Sequence, residues 1–384
     1  MNNNSRKREK GKQTSYFDYS LLFIIIFLIG FGIVMLYSTS SYNAQLKFND
    51  SLHYVKTQCF ATVLGFVVIG AILFIDYHIY GRFAWFAYFA GFVLVLLVLT
   101  GMGMEINGAR RWLNLGFASF QPAEAVKLIV IVFMAYIINE MGPAVNTGKG
   151  LAVLFVFVSA QAIFLGVITS NMSSAIIIEG IGVVMIFVAS KKYSHFVILA
   201  MVGVAAIGIF YLYEKYISTS FRMERIQVWL DPTNEEYVDD GGYQVLQALY
   251  AIGSGGILGK GLGIGIQKMG FVPEAQNDMI FSILCEELGL VGGFAVIAMF
   301  AFMIWRFMII ANNAPDLFGS MLVVGVLAHI ALQVVLNIAV VTNTIPNTGV
   351  TLPFISYGGT SVVFLMAEMG VVLSVSKVSA VEKT

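Results

Sequence analysis

The chain has 384 residues and a formal net charge of zero; 58% of its residues are hydrophobic and 11% are charged. A soluble domain carries about 25% charged residues, so most of this chain cannot face water. The lack of net positive charge also argues against nucleic acid as a partner, since binding to phosphates depends on a basic surface. The composition predicts an all-α, polytopic integral membrane protein.

Apolar runs of the length that a membrane helix needs recur along the whole chain. A bilayer core about 30 Å thick requires about 20 apolar residues in a helix. By this criterion we predict ten spans, at residues 19–37, 57–75, 83–99, 123–138, 151–169, 174–189, 195–213, 280–300, 317–340 and 356–375. The eighth span could continue to Arg306.

Basic residues in the short loops predict which side of the membrane each loop faces. The chain begins with a basic segment, RKREKGK, and the even-numbered turns contain Arg82, Lys149, Lys191, Lys192 and Arg306. Because Lys and Arg are enriched in cytoplasmic loops, both termini are predicted to be cytoplasmic. The predicted organisation is a basic tail (1–18), a ten-helix transmembrane domain (19–375) and a second cytoplasmic tail (376–384).

The longest predicted loop, residues 214–279, joins spans seven and eight on the external side. Loops of this length are uncommon unless they are functional or disordered, and its aromatic and apolar residues favour a function. Its GSGGILGKG stretch is not a nucleotide-binding loop, because Ser254 stands where the Walker spacing needs Gly and Gly261 where it needs Ser or Thr. We predict a flexible external segment there.

Two groups of ionisable residues at the predicted outer face are candidates for chemistry, as such residues at membrane depth often are. Glu124 and Lys127 are three residues apart on the fourth span and can pair. They could form a structural ion pair or act on a substrate. Asp278 directly precedes the eighth span, where it could cap the helix or act as a general base on a membrane-anchored substrate. Spacing does not separate these alternatives.

Other polar residues of the spans are predicted to bond within the protein. Glu286 and Glu287 can accept hydrogen bonds from neighbouring helices, and Gln333 and Asn337 can bond between helices. His329 is read as a packed histidine. Glu179 could line a cavity or bond to a neighbour.

Three long motifs, in this order along the chain, together resemble one family. They are NGARRWLNLG with SFQPAEAVKL, then the segment from GGYQVLQALYAIG to VPEAQNDMIFSILCEELGLVGG, and finally TNTIPNTGVTLPFISYGGTS. The sequence resembles the shape, elongation, division and sporulation (SEDS) family over essentially its whole length. Its QKMGFVPEAQND stretch is closer to the FtsW and SpoVE branch of that family than to the RodA branch.

The resemblance implies a peptidoglycan glycosyltransferase of the bacterial plasma membrane. It would polymerise lipid II, an undecaprenyl-diphosphate-linked disaccharide peptide, into glycan strands at the outer face during cell division. The implied partners are a class B penicillin-binding protein and other membrane proteins of the division septum. The alternatives are a lipid II flippase, a sporulation-specific polymerase of the same family, or a non-enzymatic scaffold.

The resemblance also implies roles for individual residues. Asp278 matches the family's essential loop aspartate and would remove the proton from the acceptor's GlcNAc 4-hydroxyl, which attacks the donor's anomeric carbon with inversion. The residues implied in binding substrate or the departing diphosphate are Arg110, Arg111, Glu124, Lys127 and Lys268. A divalent cation, Mg or Mn, could assist, with Asp278 as a candidate ligand. The other motif residues are Gln121, Pro122, Glu274, Glu286, Glu287, Pro353, Ser356, Tyr357, Gly358 and Gly359. One departure is Asn171, which stands where the family often has an acid.

Overall fold

The computed structural model describes residues 17–106, 108–114, 116, 119–190, 221–234 and 241–378. The predicted seventh span (195–213) lies outside the described residues, as do most of the amino-terminal tail and the last residues of the carboxyl-terminal tail.

The described chain is mainly helical, with one small sheet. Its α-helices are α1 (Tyr19–Phe48), α2 (His53–Phe74), α3 (His78–Arg82), α4 (Ala84–Leu97), α5 (Pro122–Met141), α6 (Gly148–Thr169), α7 (Met172–Ala189), α8 (Phe221–Leu230), α9 (Tyr243–Gly255), α10 (Ile280–Asn312), α11 (Leu317–Val341) and α12 (Thr360–Val378). A 3-10 turn over Gly142–Asn146 follows α5. The sheet has antiparallel strands β1 (Gly103–Ile106), β2 (Ala109–Asn114) and β3 (Ser119–Phe120) in the order β1-β2-β3.

Eight of these helices are long and apolar enough to cross a membrane, and each coincides with a predicted span. They are α1, α2, α5, α6, α7, α10, α11 and α12. The third predicted span is a shorter apolar helix, Ala84–Leu99. Many large apolar side chains on these helices face outward, including Phe60 (74% exposed) and Phe74 (93% exposed). Such a surface suits lipid rather than water, and the chain is a multi-pass membrane protein.

Several predicted boundaries were wrong, and each error has a local cause. The first helix continues to Phe48, through part of the predicted outer loop. The prediction counted only apolar residues, and the helix continues through polar ones such as Ser40 and Gln45. The eighth predicted span extends past Arg306 to Asn312. The last helix begins at Thr360 rather than at residue 356. The preceding FISYGG segment is not helical, and its Ser356 hydroxyl donates to the Asn277 carbonyl in the segment before α10.

Polar contacts identify which helix termini meet at one end of the bundle. Asp18 begins α1 by accepting from the Leu21 N–H at 2.9 Å, and its carboxylate also binds Arg306 of α10 at 2.6 Å. Its own N–H reaches Ser376 of α12. The start of α1 and the ends of α10 and α12 therefore share one end, so α10 and α12 begin at the opposite end.

The glycine-rich segment after α9, predicted to be a flexible loop, pairs its backbone with an interruption in α10. α10 is interrupted at Gly289, whose φ is 68° and ψ is −170°. The carbonyls that this break frees, those of Glu286 and Glu287, accept from the N–H groups of Lys260 and Gly261 at 3.0 and 2.9 Å. In return, the N–H groups of residues 290 and 291 donate to the carbonyls of residues 256 and 257. Broken helices are tolerated in a membrane protein where the backbone is paired in this way.

We expect Gly289→Ala to lower the free energy of unfolding by about 2 to 4 kcal/mol. A Cβ at this position would lie 2.3 Å from the Ile257 carbonyl oxygen, and the positive φ is unfavourable for alanine. Thermal unfolding of the detergent-solubilised protein measures the effect. Gly30→Ala is the control, because a Cβ there meets nothing within 4 Å. Equal unfolding temperatures for the two variants would contradict this account of the break.

Candidate active site

A cavity of about 490 Å³ opens at the end of the bundle where α5, α7, α10 and α12 begin. It is formed by helix starts, by the end of α11 with the segment after it, and by strand β2. The predicted site residues that line it are Arg111, Gln121, Glu124, Lys127, Glu274, Asp278, Tyr357, Gly358 and Gly359. Further polar lining residues include Asn171, Ser173, Arg225, Asn277, Gln333, Thr348, Thr351 and Ser361.

Asp278 lies in the turn before α10 and is only 8% exposed. It is not the cap of that helix, because the capping position is Met279 and no side chain caps the helix there. Its Oδ1 atom is buried and has no hydrogen-bond partner among the described residues. Burial, followed by the negative charge of Glu274, raises the pKa of Asp278 to about 7. A carboxylate with these properties can accept a proton near neutral pH.

Glu124 and Lys127 form the ion pair that their spacing predicted. Their side chains meet at 2.9 Å in the first turns of α5, and they are 7% and 2% exposed. Ser361 of α12 donates a further hydrogen bond to Glu124 at 2.8 Å. The pair is thus buried in the wall of the cavity and ties α5 to α12.

Neighbouring arginines on β2 have different surroundings, since successive strand residues point to opposite sides. Arg111 lines the cavity and donates to the Ser170 carbonyl at 2.8 Å. Arg110 is about half exposed, lies 3.5 Å from Glu105 and is not among the lining residues. Both arginines were predicted to bind substrate, but only Arg111 lines the cavity.

Arg225 of α8 is a cavity residue that sequence reasoning did not select. It donates to the Asn347 carbonyl at 3.1 Å, and its positive charge acts to lower the pKa of Asp278, against the larger effect of burial. The available signal was its position on the polar side of an amphipathic helix, which does not reveal what that side faces.

Lys268 lies away from the cavity, which corrects its assignment to diphosphate binding. It is 5% exposed and pairs with Glu287 at 2.5 Å and with Ser38 at 2.8 Å. Glu286 pairs with Lys260 at 2.8 Å and accepts from the Ile266 N–H. Both glutamates therefore bond the segment before Asp278 to α10. Glu287 makes the predicted bond to a neighbouring helix by accepting from Ser38 of α1, whereas Glu286 accepts from the segment itself.

The last of the three family motifs, TNTIPNTGVTLPFISYGGTS, holds the backbone beside Asp278. Ser356 donates to the Asn277 carbonyl at 2.6 Å, and the Tyr357 N–H donates to the Gln276 carbonyl at 2.9 Å. Pro353 and Pro122 are not lining residues; Pro122 is the first residue of α5, a position that suits proline.

The remaining polar residues of the spans make internal contacts. Asn171 caps α7 by accepting from Ser174 at 3.1 Å, so the amide serves where the family often has an acid. His329 pairs with Glu368 at 2.8 Å, and Glu179 accepts from Ser159 at 2.9 Å. Gln333 donates to the Thr351 carbonyl at 3.0 Å and also lines the cavity.

A family model and individual relatives match this chain over nearly its whole length. The model FTSW_RODA_SPOVE, described as cell cycle protein, matches residues 19–380. Stage V sporulation protein E of Bacillus subtilis (strain 168) is 36% identical, covering 94% of this chain and 97% of the relative. A probable peptidoglycan glycosyltransferase FtsW of Geobacter sp. (strain M18) is 35% identical, covering 94% and 96%.

Solved structures share the fold. A chain from a structure described as "Structural coordination of polymerization and crosslinking by a peptidoglycan synthase complex" has a TM-score of 0.77 and 25% identity, covering 94% of this chain and 97% of that one. RodA of Thermus thermophilus has a TM-score of 0.69 at 24% identity, covering 95% and 98%. The extent of the family match, together with the two relatives, shows that this chain belongs to the FtsW/RodA/SpoVE family of cell cycle proteins.

Proposed function

We propose that the protein is a peptidoglycan glycosyltransferase that polymerises lipid II in the cavity around Asp278. The proposal rests on one observation, a buried carboxylate whose Oδ1 atom has no hydrogen-bond partner in the described part of the chain and which lies in a polar cavity that also contains cationic side chains. Relatives named for glycosyl transfer and for sporulation are almost equally similar, at 35% and 36% identity. We therefore propose only that this protein polymerises lipid II. That it does so at the division septum stays a prediction.

The reaction needs one proton acceptor and one site for a leaving group. Asp278 takes the proton of the acceptor's GlcNAc 4-hydroxyl, and the hydroxyl oxygen forms a bond to the donor's anomeric carbon. The bond from that carbon to the undecaprenyl diphosphate oxygen breaks, and its electron pair leaves with the diphosphate. Attack opposite the leaving group inverts the anomeric centre. The donor already carries its leaving group, so no nucleotide is consumed.

Positive side chains in the cavity are suited to the charge that develops on the diphosphate. Arg111 and Arg225 present guanidinium groups, which bind phosphate oxygens in a planar, two-pronged geometry. Lys127 adds a positive charge, although Glu124 balances much of it. Stabilising a leaving group in a site shielded from water is worth more than the same contact in bulk water.

We also propose that a divalent cation is shared between the protein and the substrate's diphosphate. The described residues contain no group of three or more His, Cys, Asp or Glu side chains that could hold a metal. Within the ranges that the structure describes, Asp278 Oδ1 has no hydrogen-bond partner, and Glu274 lies close enough to affect the pKa of Asp278. Mg²⁺ is often bound by one or two carboxylates plus substrate phosphates. We propose that Glu274, together with the substrate's diphosphate oxygens, would hold it beside Asp278, where it would neutralise diphosphate charge while Asp278 stays available as the base.

The proposed orientation places the cavity outside the cell. Arg306 and the start of α1 lie at the end opposite the start of α10 and Asp278. Since basic residues favour the cytoplasmic side, that end faces the cytoplasm and the cavity faces the outer leaflet. Lipid-linked sugars presented there can enter it.

We also propose a class B penicillin-binding protein as the partner that cross-links the product. The support is the structural neighbour at TM-score 0.77, which comes from a complex described as coordinating polymerization and crosslinking. The large exposed apolar surface of the spans leaves room for a partner's membrane helix.

We expect the polymerisation rate to rise with pH, to reach half its plateau near pH 7 and to level off at higher pH, because the base must be deprotonated and the pKa of Asp278 is raised to about 7. Replacing Glu274 with Gln removes a negative charge that raises this pKa, so the rising limb should move to lower pH. Initial rates across pH 5 to 9 measure this. An identical limb in wild type and Glu274→Gln would contradict the assignment of Asp278 as the titrating group.

The direct test of the proposal is lipid II polymerisation by the purified protein, with and without its cross-linking partner. Glycan chains longer than the input disaccharide support it. Movement of labelled lipid II across proteoliposome membranes without polymer would favour a flippase, and neither activity would favour a scaffold.

A further inference from the structure

The backbone that carries Asp278 is held by a part of the chain far away in sequence. Asp278 precedes the first turn of α10, so its position depends on contacts made by the turn itself. Three consecutive carbonyls, of residues 276–278, accept hydrogen bonds in order from the Tyr357 N–H, the Ser356 hydroxyl and the Asn337 amide.

Asn337 makes the contact to Asp278 itself. It lies on α11 and is fully buried. Its Nδ2 donates to the Asp278 carbonyl at 2.7 Å and to the Val350 carbonyl at 2.7 Å, so both amide protons are used. Val350 and Asp278 both line the cavity. One side chain therefore joins two walls of the cavity.

The surroundings of the Asn337 side-chain oxygen indicate which atoms of this amide contribute to the structure. Asn337 Oδ1 is buried and has no hydrogen-bond partner among the residues that the structure describes. A buried unpaired acceptor is unfavourable, and an apolar side chain of similar size would avoid it. The contribution of this amide is therefore its two N–H groups and the two carbonyls that they hold.

We propose that Asn337 is a positioning residue that holds the Asp278 carboxylate in place for proton removal. This inference rests on the proposed function. A general base must lie within hydrogen-bond reach of the proton that it takes, and a misplacement of about 1 Å can cost about 100-fold in rate. Asn337 fixes the main chain of Asp278 and leaves its carboxylate oxygen free for the substrate.

The test is steady-state polymerisation of lipid II by Asn337→Ala together with its partner. We expect kcat to fall about 10-fold to 100-fold with KM within about 2-fold, since the change affects the reacting geometry rather than substrate binding. The matched control is Gln161→Ala. Gln161 is also fully buried and donates to one carbonyl, that of Tyr88 at 2.7 Å, outside the cavity.

Both variants should lose thermal stability, but only Asn337→Ala should lose kcat. An unchanged kcat in Asn337→Ala, or an equal loss of kcat in Gln161→Ala, would overturn the positioning role. If Asn337→Ala does not fold, Asn337→Leu decides, because leucine has a similar size and donates to neither carbonyl; full activity there overturns the inference. Asp278→Asn is measured alongside. If it is inactive while the Asn337 variants are fully active, only this inference fails; if it is fully active, the proposed function fails too.

Discussion

Asp278→Asn is expected to reduce lipid II polymerisation by about 10² to 10⁴-fold, the range that a general base contributes. The change keeps the size of the side chain and removes its ability to accept the hydroxyl proton. Because Asp278 does not cap α10, loss of a helix cap cannot account for such a loss. Product chain length and initial rate, measured with the purified complex, test this expectation.

The matched control for that experiment is Asp50→Asn. Asp50 is an exposed carboxylate paired with Lys56 at 2.8 Å and is not a lining residue of the cavity. It should keep the wild-type rate. Near wild-type polymerisation by Asp278→Asn, with the protein folded to the same extent, would contradict the role of Asp278 as the base.

The second large effect is expected at the buried pair in α5. Lys127→Met leaves the Glu124 carboxylate buried without its partner, which should lower the free energy of unfolding by about 3 to 5 kcal/mol. Lys56→Met, at an exposed pair, should change it little, because exposed ion pairs contribute little to stability. Thermal unfolding in detergent compares the two variants.

A double variant separates the two roles of this pair. Glu124→Gln combined with Lys127→Met removes both charges and should regain most of the lost stability. We expect polymerisation to stay low, because Lys127 also lines the cavity with the substrate-binding arginines. Recovery of both stability and activity would mean that the pair acts only in the structure.

The membrane spans could be predicted from sequence because each is apolar over a length set by the bilayer. Their ends could not, since a helix continues into the interface wherever its backbone bonds are satisfied. α1 continues in this way through Ser40 and Gln45. The break at Gly289 also escaped prediction, because its partner carbonyls lie on the segment around Gly256.

Prediction of the site succeeded where the residues are close in sequence. Glu124 and Lys127 are one helical turn apart, so their pairing follows from helix geometry. Arg110 and Arg111 could be told apart only once a strand was known to place them on opposite sides. The partner of Asp278, Asn337, is 59 positions away along the chain. Such contacts depend on how helices pack, which no local pattern records.

Measuring which side of the membrane the cavity faces tests most directly the proposal that Asp278 acts on a lipid-linked sugar at the outer face. Glu274 is exposed and lines the cavity, so Glu274→Cys, in a chain whose Cys59 and Cys285 are replaced by Ser, reports access from each side. We expect a membrane-impermeant maleimide to label this cysteine in cells whose cytoplasmic membrane is intact and whose outer layers have been removed. Labelling only after the cytoplasmic face is opened would place the cavity on the wrong side for a lipid-linked sugar substrate and would contradict the proposed reaction.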